Sequence, residues 1–252
     1  MPRLINLHNS RLVVFMVLII IAGCSSMGQI QTRASKPLVA EVLSEEERGW
    51  WRARFRILWP AEEDPAWHVD LILAHQIVLP VLQQHRDEID LWRFHRRAAR
   101  DEHGHRFSFI FYASPATAFD IFHTLMNDPL LDRLKYSGLI LKDIYDDPAV
   151  RKKPNIEDTS DQKWPDVVRR NWPYYIEGVS RMWVNMIAEI AAQQPDGDNL
   201  STISELVEFY QNVNTSLTEM WRKKGRHAFM HHLNALFGYE PLIYYERRML
   251  TF

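Results

Sequence analysis

The chain has 252 residues, 46% of them apolar, with nine tryptophans and a formal charge of −2. That apolar mass suits a folded core and excludes a disordered polar chain. The acidic balance argues against a general nucleic-acid binder, and a lone cysteine, Cys24, excludes an internal disulfide framework.

The first segment carries Arg3 and Arg11, followed by the apolar run LVVFMVLIIIAG over residues 12–23. The run is too short for a comfortable transmembrane helix and ends in small residues, as a cleavable secretory signal does. A thiol at that place is either incidental or a lipid attachment site. Ile21-Ala22-Gly23-Cys24 resembles the lipobox of bacterial lipoproteins. The resemblance implies that residues 1–23 are a signal peptide cut before Cys24, and that the Cys24 sulfur carries a diacylglycerol and its amino group an acyl chain. Two or three acyl chains make such an anchor effectively permanent, since each buried CH₂ contributes about 0.8 kcal/mol. Ser25, where an aspartate would signal retention, implies the outer membrane of a Gram-negative cell with the body facing the periplasm. Residues 24–48 are small and polar and read as the lipidated tether.

The body opens at Gly49. Trp51, Ala53, Phe55, Ile57 and Trp59 alternate with Arg52, Arg54 and Arg56, the period of a half-buried strand. Asp64-Pro65 predicts a helix start, with the helix running to about Arg86 and kinked or divided at Pro80. Trp92 and Phe94 alternate with Arg93, His95 and Arg97. After the polar RDEHG, Phe107, Phe109 and Phe111 alternate with Ser108, Ile110 and Tyr112, which completes a β-hairpin. Ser114-Pro115 opens a second helix that Asp128-Pro129 should stop, and YSGLILKDIYD supplies a fourth strand.

The resulting β-α-β-β-α-β order over residues 49–147 predicts an α+β fold with a ferredoxin-like antiparallel sheet, helices on one face and the other face open. Residues 148–163 are polar and contain proline, a linker loop. Over 164–252 a helical region follows, packed on the same body. One stripe holds Val179, Met182, Trp183, Met186, Ile187 and Ile190. The other starts at a capping box, Thr202-x-x-Glu205, and holds Leu206, Phe209, Val213, Leu217, Met220 and Trp221. They predict an appended helical hairpin, and GRHAFMHHLNALFGYEP adds a short helix ended by Gly238 and Pro241.

Strand alternation puts Arg52, Arg54, Arg56, Arg93, His95 and Arg97 on one side of their strands. They either solvate a sheet face and pair with acids, or form a site for an anionic ligand such as a lipid phosphate, a carboxylate-rich polymer or an acidic protein. RFSFIFY faintly resembles the aromatic strand of RNA-recognition folds, but His105-Arg106 stands where lysine-glycine would open it, so the phenylalanines read as core and no nucleic acid is expected. His103, His105, His227 and His231 have spacings able to chelate, yet no HExxH motif exists, so neither a metal nor another cofactor is expected. No P-loop, dinucleotide fingerprint or G-x-S-x-G elbow is present.

RAARDEHGHRFSF and FMHHLNALFGYEP resemble two segments of the C-terminal domain of lantibiotic dehydratases and thiopeptide-forming enzymes. That resemblance implies a shared fold over about residues 50–240, while Ala235 and Phe107 depart from the family's arginine positions. No catalytic residue carries over. The first expectation is therefore a membrane-anchored binding or scaffolding module with an anionic ligand or envelope protein as partner. The alternative is an enzyme on a peptide or cell-envelope substrate, using His103, His105 or His227.

Overall fold

A computed structural model describes residues 47–194 and 200–239. Cys24, its signal and most of the tether lie outside the described residues. Strand β1 (Gly49–Ile57) buries Trp51, Ala53, Phe55 and Ile57 and turns Arg52, Arg54 and Arg56 the other way. The hairpin strands β2 (Leu91–Ala98) and β3 (His105–Ala113) follow the same alternation. Phe107, Phe109 and Phe111 are fully buried, each contributing about 1.5–3 kcal/mol of transfer free energy. Strand β4 (Ile140–Tyr145) adds the fourth member. The sheet order is β2-β3-β1-β4, and every neighbouring pair is antiparallel. The protein is thus a mixed α+β structure with a four-stranded antiparallel sheet.

Helix α1 spans 67–84 and is not regular. An α-helical start, Trp67–Ile72, widens into a π-helical stretch, Leu73–Val78, before the α-helical Leu79–Gln84. The Leu79 N–H bonds to the Ala74 carbonyl five residues back, just ahead of Pro80, which has no N–H to give. A widened turn lets the helix absorb the proline without breaking, so Pro80 changes the winding and does not divide the element. Asp64 does not cap this helix. Ala66 holds the N-cap position with no side-chain bond, and the Trp67 N–H bonds to the Pro65 carbonyl at 2.7 Å.

Helix α2 (Pro115–Met126) starts at the Ser114 cap. Asp128-Pro129 ends it and also begins another helix, α3 (Pro129–Tyr136), which the sequence pattern did not separate. The Asp128 carboxylate accepts from the Leu130 and Leu131 N–H groups at 2.8 and 2.9 Å, so the same residue acts as a cap.

The segment 148–163 is mostly irregular, with one 3₁₀ turn, Ile156–Thr159. It packs against one end of the sheet: Trp50 Nε1 donates to the Ile156 carbonyl at 2.9 Å and Tyr112 Oη to the Pro154 carbonyl at 2.7 Å.

Helix α4 (Asp166–Ala192) packs on β2, and helix α5 (Ile203–Met220) packs against α4 and α1. The Thr202/Glu205 capping box is present. Val184, Ile187, Leu206, Phe209, Tyr210 and Val213 join α1, α2 and α3 in one core. Ser180 of α4 lies along the free edge of β2, where its Oγ accepts the Phe94 N–H at 3.1 Å. Met220 and Trp221 depart from the expected stripe and are exposed. At Trp221 the helix widens into a π-helical stretch, Trp221–His231, which continues into α6 (His232–Leu236). Gly238 follows at φ +79°, while Pro241 lies outside the described residues.

Candidate anion site on the basic sheet face

Pairing register turns the arginine alternation into rows. Across the face turned away from the core, Arg93, Ile110 and Arg52 form one row, and His95, Ser108, Arg54 and Ile144 the next. The third is Arg97, Arg106, Arg56 and Lys142, one cation from each strand. Neighbouring strands lie about 4.8 Å apart, so four like charges follow one another at that backbone spacing. All six residues named from the sequence, Arg52, Arg54, Arg56, Arg93, His95 and Arg97, share this face. Arg106, Lys142 and Lys153 join them. Arg106 has the parity of Ser108 and Ile110, one step earlier in its strand. Lys142 and Lys153 come from distant chain, and no local signal pointed to them.

Carboxylates are scarce here. Asp146 Oδ1 takes Arg54 Nη2 at 3.1 Å and Arg52 Nη2 at 3.6 Å. Asp101, in the hairpin turn, accepts both terminal nitrogens of Arg97, and this pairing holds its carboxyl well below the usual carboxylate range. Arg56, Arg93, Arg106 and Lys142 make no ion pair among the described residues. The Nε atoms of Arg52, Arg54, Arg93 and Arg106 are buried from solvent with no acceptor. Arg93 is further covered by the Trp172 ring, its guanidinium carbon 4.9 Å from the ring centroid.

The charges act on one another. Burial and then Arg52 lower Arg93 to about 10. Burial first, then repulsion from Arg97 and Arg52, lowers Arg106, and burial with Arg52 and Arg93 lowers Lys153. His95 is held below its ordinary value by burial and by Arg93, Arg106, Arg97 and Arg52. The face is therefore an array of donors crowded against like charge, and a multivalent anion would relieve it.

The histidines named from the sequence do not assemble. His103 lies exposed in the hairpin turn beside Glu102. His105 opens β3 on the core side with no exposed surface, and its Nε2 meets Asp70 Oδ2 at 3.1 Å. Arg96 reaches the same oxygen through Nε at 3.2 Å and Nη2 at 3.1 Å, clamped between the rings of Trp67 and Trp183. This group, with Asp70 and His105 sealed and Arg96 partly exposed, braces α1 against β2 and β3. His227 and His231 stack at 5.1 Å on the exposed π-helical stretch. Among the described residues no group of three or more His, Cys, Asp or Glu side chains is placed to hold a metal ion.

Elsewhere, a cavity of about 410 Å³ beside α1, α4 and α5 is lined by His75, Gln76, Arg133 and Tyr210. Gln76 Nε2 donates to Tyr210 Oη at 2.6 Å, and that hydroxyl lies 2.7 Å from His75 Nδ1. Burial pushes the Tyr210 phenol up to about 12, so it stays protonated as a donor. A second apolar cavity of about 410 Å³ lies between Trp183 and Trp221. No family model, curated protein or solved structure matches this chain.

Proposed function

We propose that the chain is a lipid-anchored module of the Gram-negative outer membrane whose basic sheet face binds an anionic ligand or an acidic envelope partner in the periplasm. The observation that carries the binding half is the four-strand row Arg97–Arg106–Arg56–Lys142. Arg56, Arg106 and Lys142 of that row, and Arg93 in an adjoining one, make no ion pair among the described residues. Arginine presents a planar fork suited to phosphate and carboxylate, and an array repeated at strand spacing favours a ligand with several charges over a single ion. The β-α-β-β-α-β order and the strand order β2-β3-β1-β4 support a ferredoxin-like assignment, in which helices occupy one face and leave the other for binding. The resemblance to lantibiotic dehydratase domains enters this proposal as a shared fold and not as an activity. The anchoring half rests on Cys24 behind its apolar run.

Titrating the full chain with inorganic polyphosphate tests the binding half. Saturable binding by the parent, lost in Arg56→Glu/Arg106→Glu with the fold retained, is the expected result. Equal binding by parent and variant, or none by the parent, overturns it. For the anchor, Cys24→Ala should lose both the lipid label and the membrane fraction; persistence of both sinks that half.

A further inference from the structure

The stretch after α5 offers a surface that the basic face does not explain. From Met220 to Tyr239 the chain holds Arg222, Lys223, Lys224 and Arg226 and no aspartate or glutamate. The same stretch leaves large apolar side chains in solvent: Trp221 is 54% exposed, Leu236 84% and Phe237 71%, with Met230, Leu233 and Tyr239 also exposed. They are not scattered. In the π-helical stretch, Trp221 lies over Gly225, where an added Cβ would meet the ring at 2.6 Å, and stacks on Phe229 at 5.6 Å, the two rings walling the cavity beside Trp183. Leu233, Leu236, Phe237 and Tyr239 follow, exposed and outside the walls of that cavity. The basic residues 222–226 cluster at the end nearer α5. Lys223 is held by Glu219 at 2.9 Å, which leaves Arg222, Lys224 and Arg226 with no ion pair among the described residues.

We infer that the 220–239 stretch is a membrane-surface element that inserts Leu233, Leu236, Phe237 and Tyr239 into an anionic phospholipid bilayer. An apolar series with clustered cations is the pattern of interfacial helices, where the aromatic side enters the headgroup boundary and the cations meet lipid phosphate. Charge decides against the same stretch of a second copy as the occupant. Two such stretches packed together would oppose arginine and lysine with no acid between Met220 and Tyr239 to neutralise them. This contact is separate from any lipid on Cys24 and from the basic sheet face.

A photoreactive benzophenone amino acid in place of Phe237, in the full chain reconstituted into phosphatidylcholine vesicles with or without phosphatidylglycerol, reports the contact at this position alone. The same group in place of Tyr136, which is 97% exposed, is the control. Lipid adducts at position 237 are expected with phosphatidylglycerol, and few at position 136. Arg222→Gln with Lys224→Gln should weaken the partitioning of the segment roughly thirty-fold, from about 1 kcal/mol per basic residue near an anionic surface. Both positions are exposed, and circular dichroism checks that the variant keeps its fold. Adducts to protein alone, equal lipid labelling at positions 136 and 237, or labelling indifferent to the two substitutions would overturn the inference.

Discussion

Arg56 and Arg106 stand directly opposite one another in the β1–β3 ladder, flanked in the same row by Arg97 and Lys142. Like charges facing each other across strands are destabilising, by an amount comparable to the 0.2–1 kcal/mol that a favourable pair of this kind contributes, and the sheet carries that cost in its central strands. A stability cost concentrated on one solvent face is the pattern expected where function opposes stability.

Replacing Arg106 by threonine removes the repulsion and supplies a β-branched residue suited to a strand. In anion-free buffer the variant should unfold at a higher denaturant concentration than the parent, by roughly 0.5 kcal/mol. Polyphosphate binding should weaken at the same time. Denaturant titration and calorimetric binding check the two opposite signs; loss of both stability and binding would mark Arg106 as a structural residue.

His95 sits in the middle row of the face, and its folded value is held below the ordinary 6.5 by burial and four arginines. The unfolded chain therefore takes up a proton first as pH falls. The His95 contribution to stability is complete above about pH 6.5 and is lost progressively as pH drops through the lower folded value. His95→Asn should flatten that part of the stability profile relative to the parent. Bound anion counters the arginine charges, so binding should draw a proton onto His95 and strengthen as pH falls. Denaturation and binding curves measured across that window test both signs.

Asp70 has no exposed surface and takes His105 and two nitrogens of Arg96 on one oxygen. Asp70→Ala leaves the Arg96 charge without its anion and His105 Nε2 without its acceptor. The expected loss is about 3 kcal/mol, the low end for a broken buried pair because Arg96 is partly exposed and keeps the Trp67 carbonyl, measured by denaturant unfolding. Polyphosphate binding to whatever remains folded should change little, because this group lies on the core side of the sheet.

Ser180→Ala tests the cover on the sheet edge. Ser180 Oγ accepts the Phe94 N–H and donates to the Ile176 carbonyl at 2.8 Å. Without the hydroxyl, a buried N–H on edge strand β2 has no partner, which costs about 1–3 kcal/mol. The edge also becomes available for pairing with another strand. Lower stability together with faster aggregation on warming is expected, read by unfolding midpoint and light scattering.

The candidate face was partly legible because strand periodicity is local. Two-residue alternation alone assigns Arg52, Arg54, Arg56, Arg93, His95 and Arg97 to the side opposite the aromatics. Which cations become neighbours depends on pairing register. A local pattern therefore could not bring Lys142 opposite Arg56, Lys153 within the influence of Arg52 and Arg93, or Asp146 onto Arg54. His103 and His105 show the same limit. Two residues apart in sequence, one faces solvent in the turn and the other is sealed against Asp70, because β3 begins between them.

By itself the sequence determined the strands, the capping box at Thr202, the aromatic core of β3 and the basic side of the hairpin. Those follow from the period of side chains along one stretch of backbone and from caps within a single turn. Tertiary structure alone decided the cation row across four strands, the burial of Asp70 and His105 beside Arg96, and the exposure of Met220 and Trp221. At Trp221 this goes with winding: α5 buries its stripe as far as Leu217, and the helix widens at Trp221, one residue past the exposed Met220. Apolar spacing within a segment says which residues share a side, but which side meets another element depends on contacts between parts of the chain far apart in sequence.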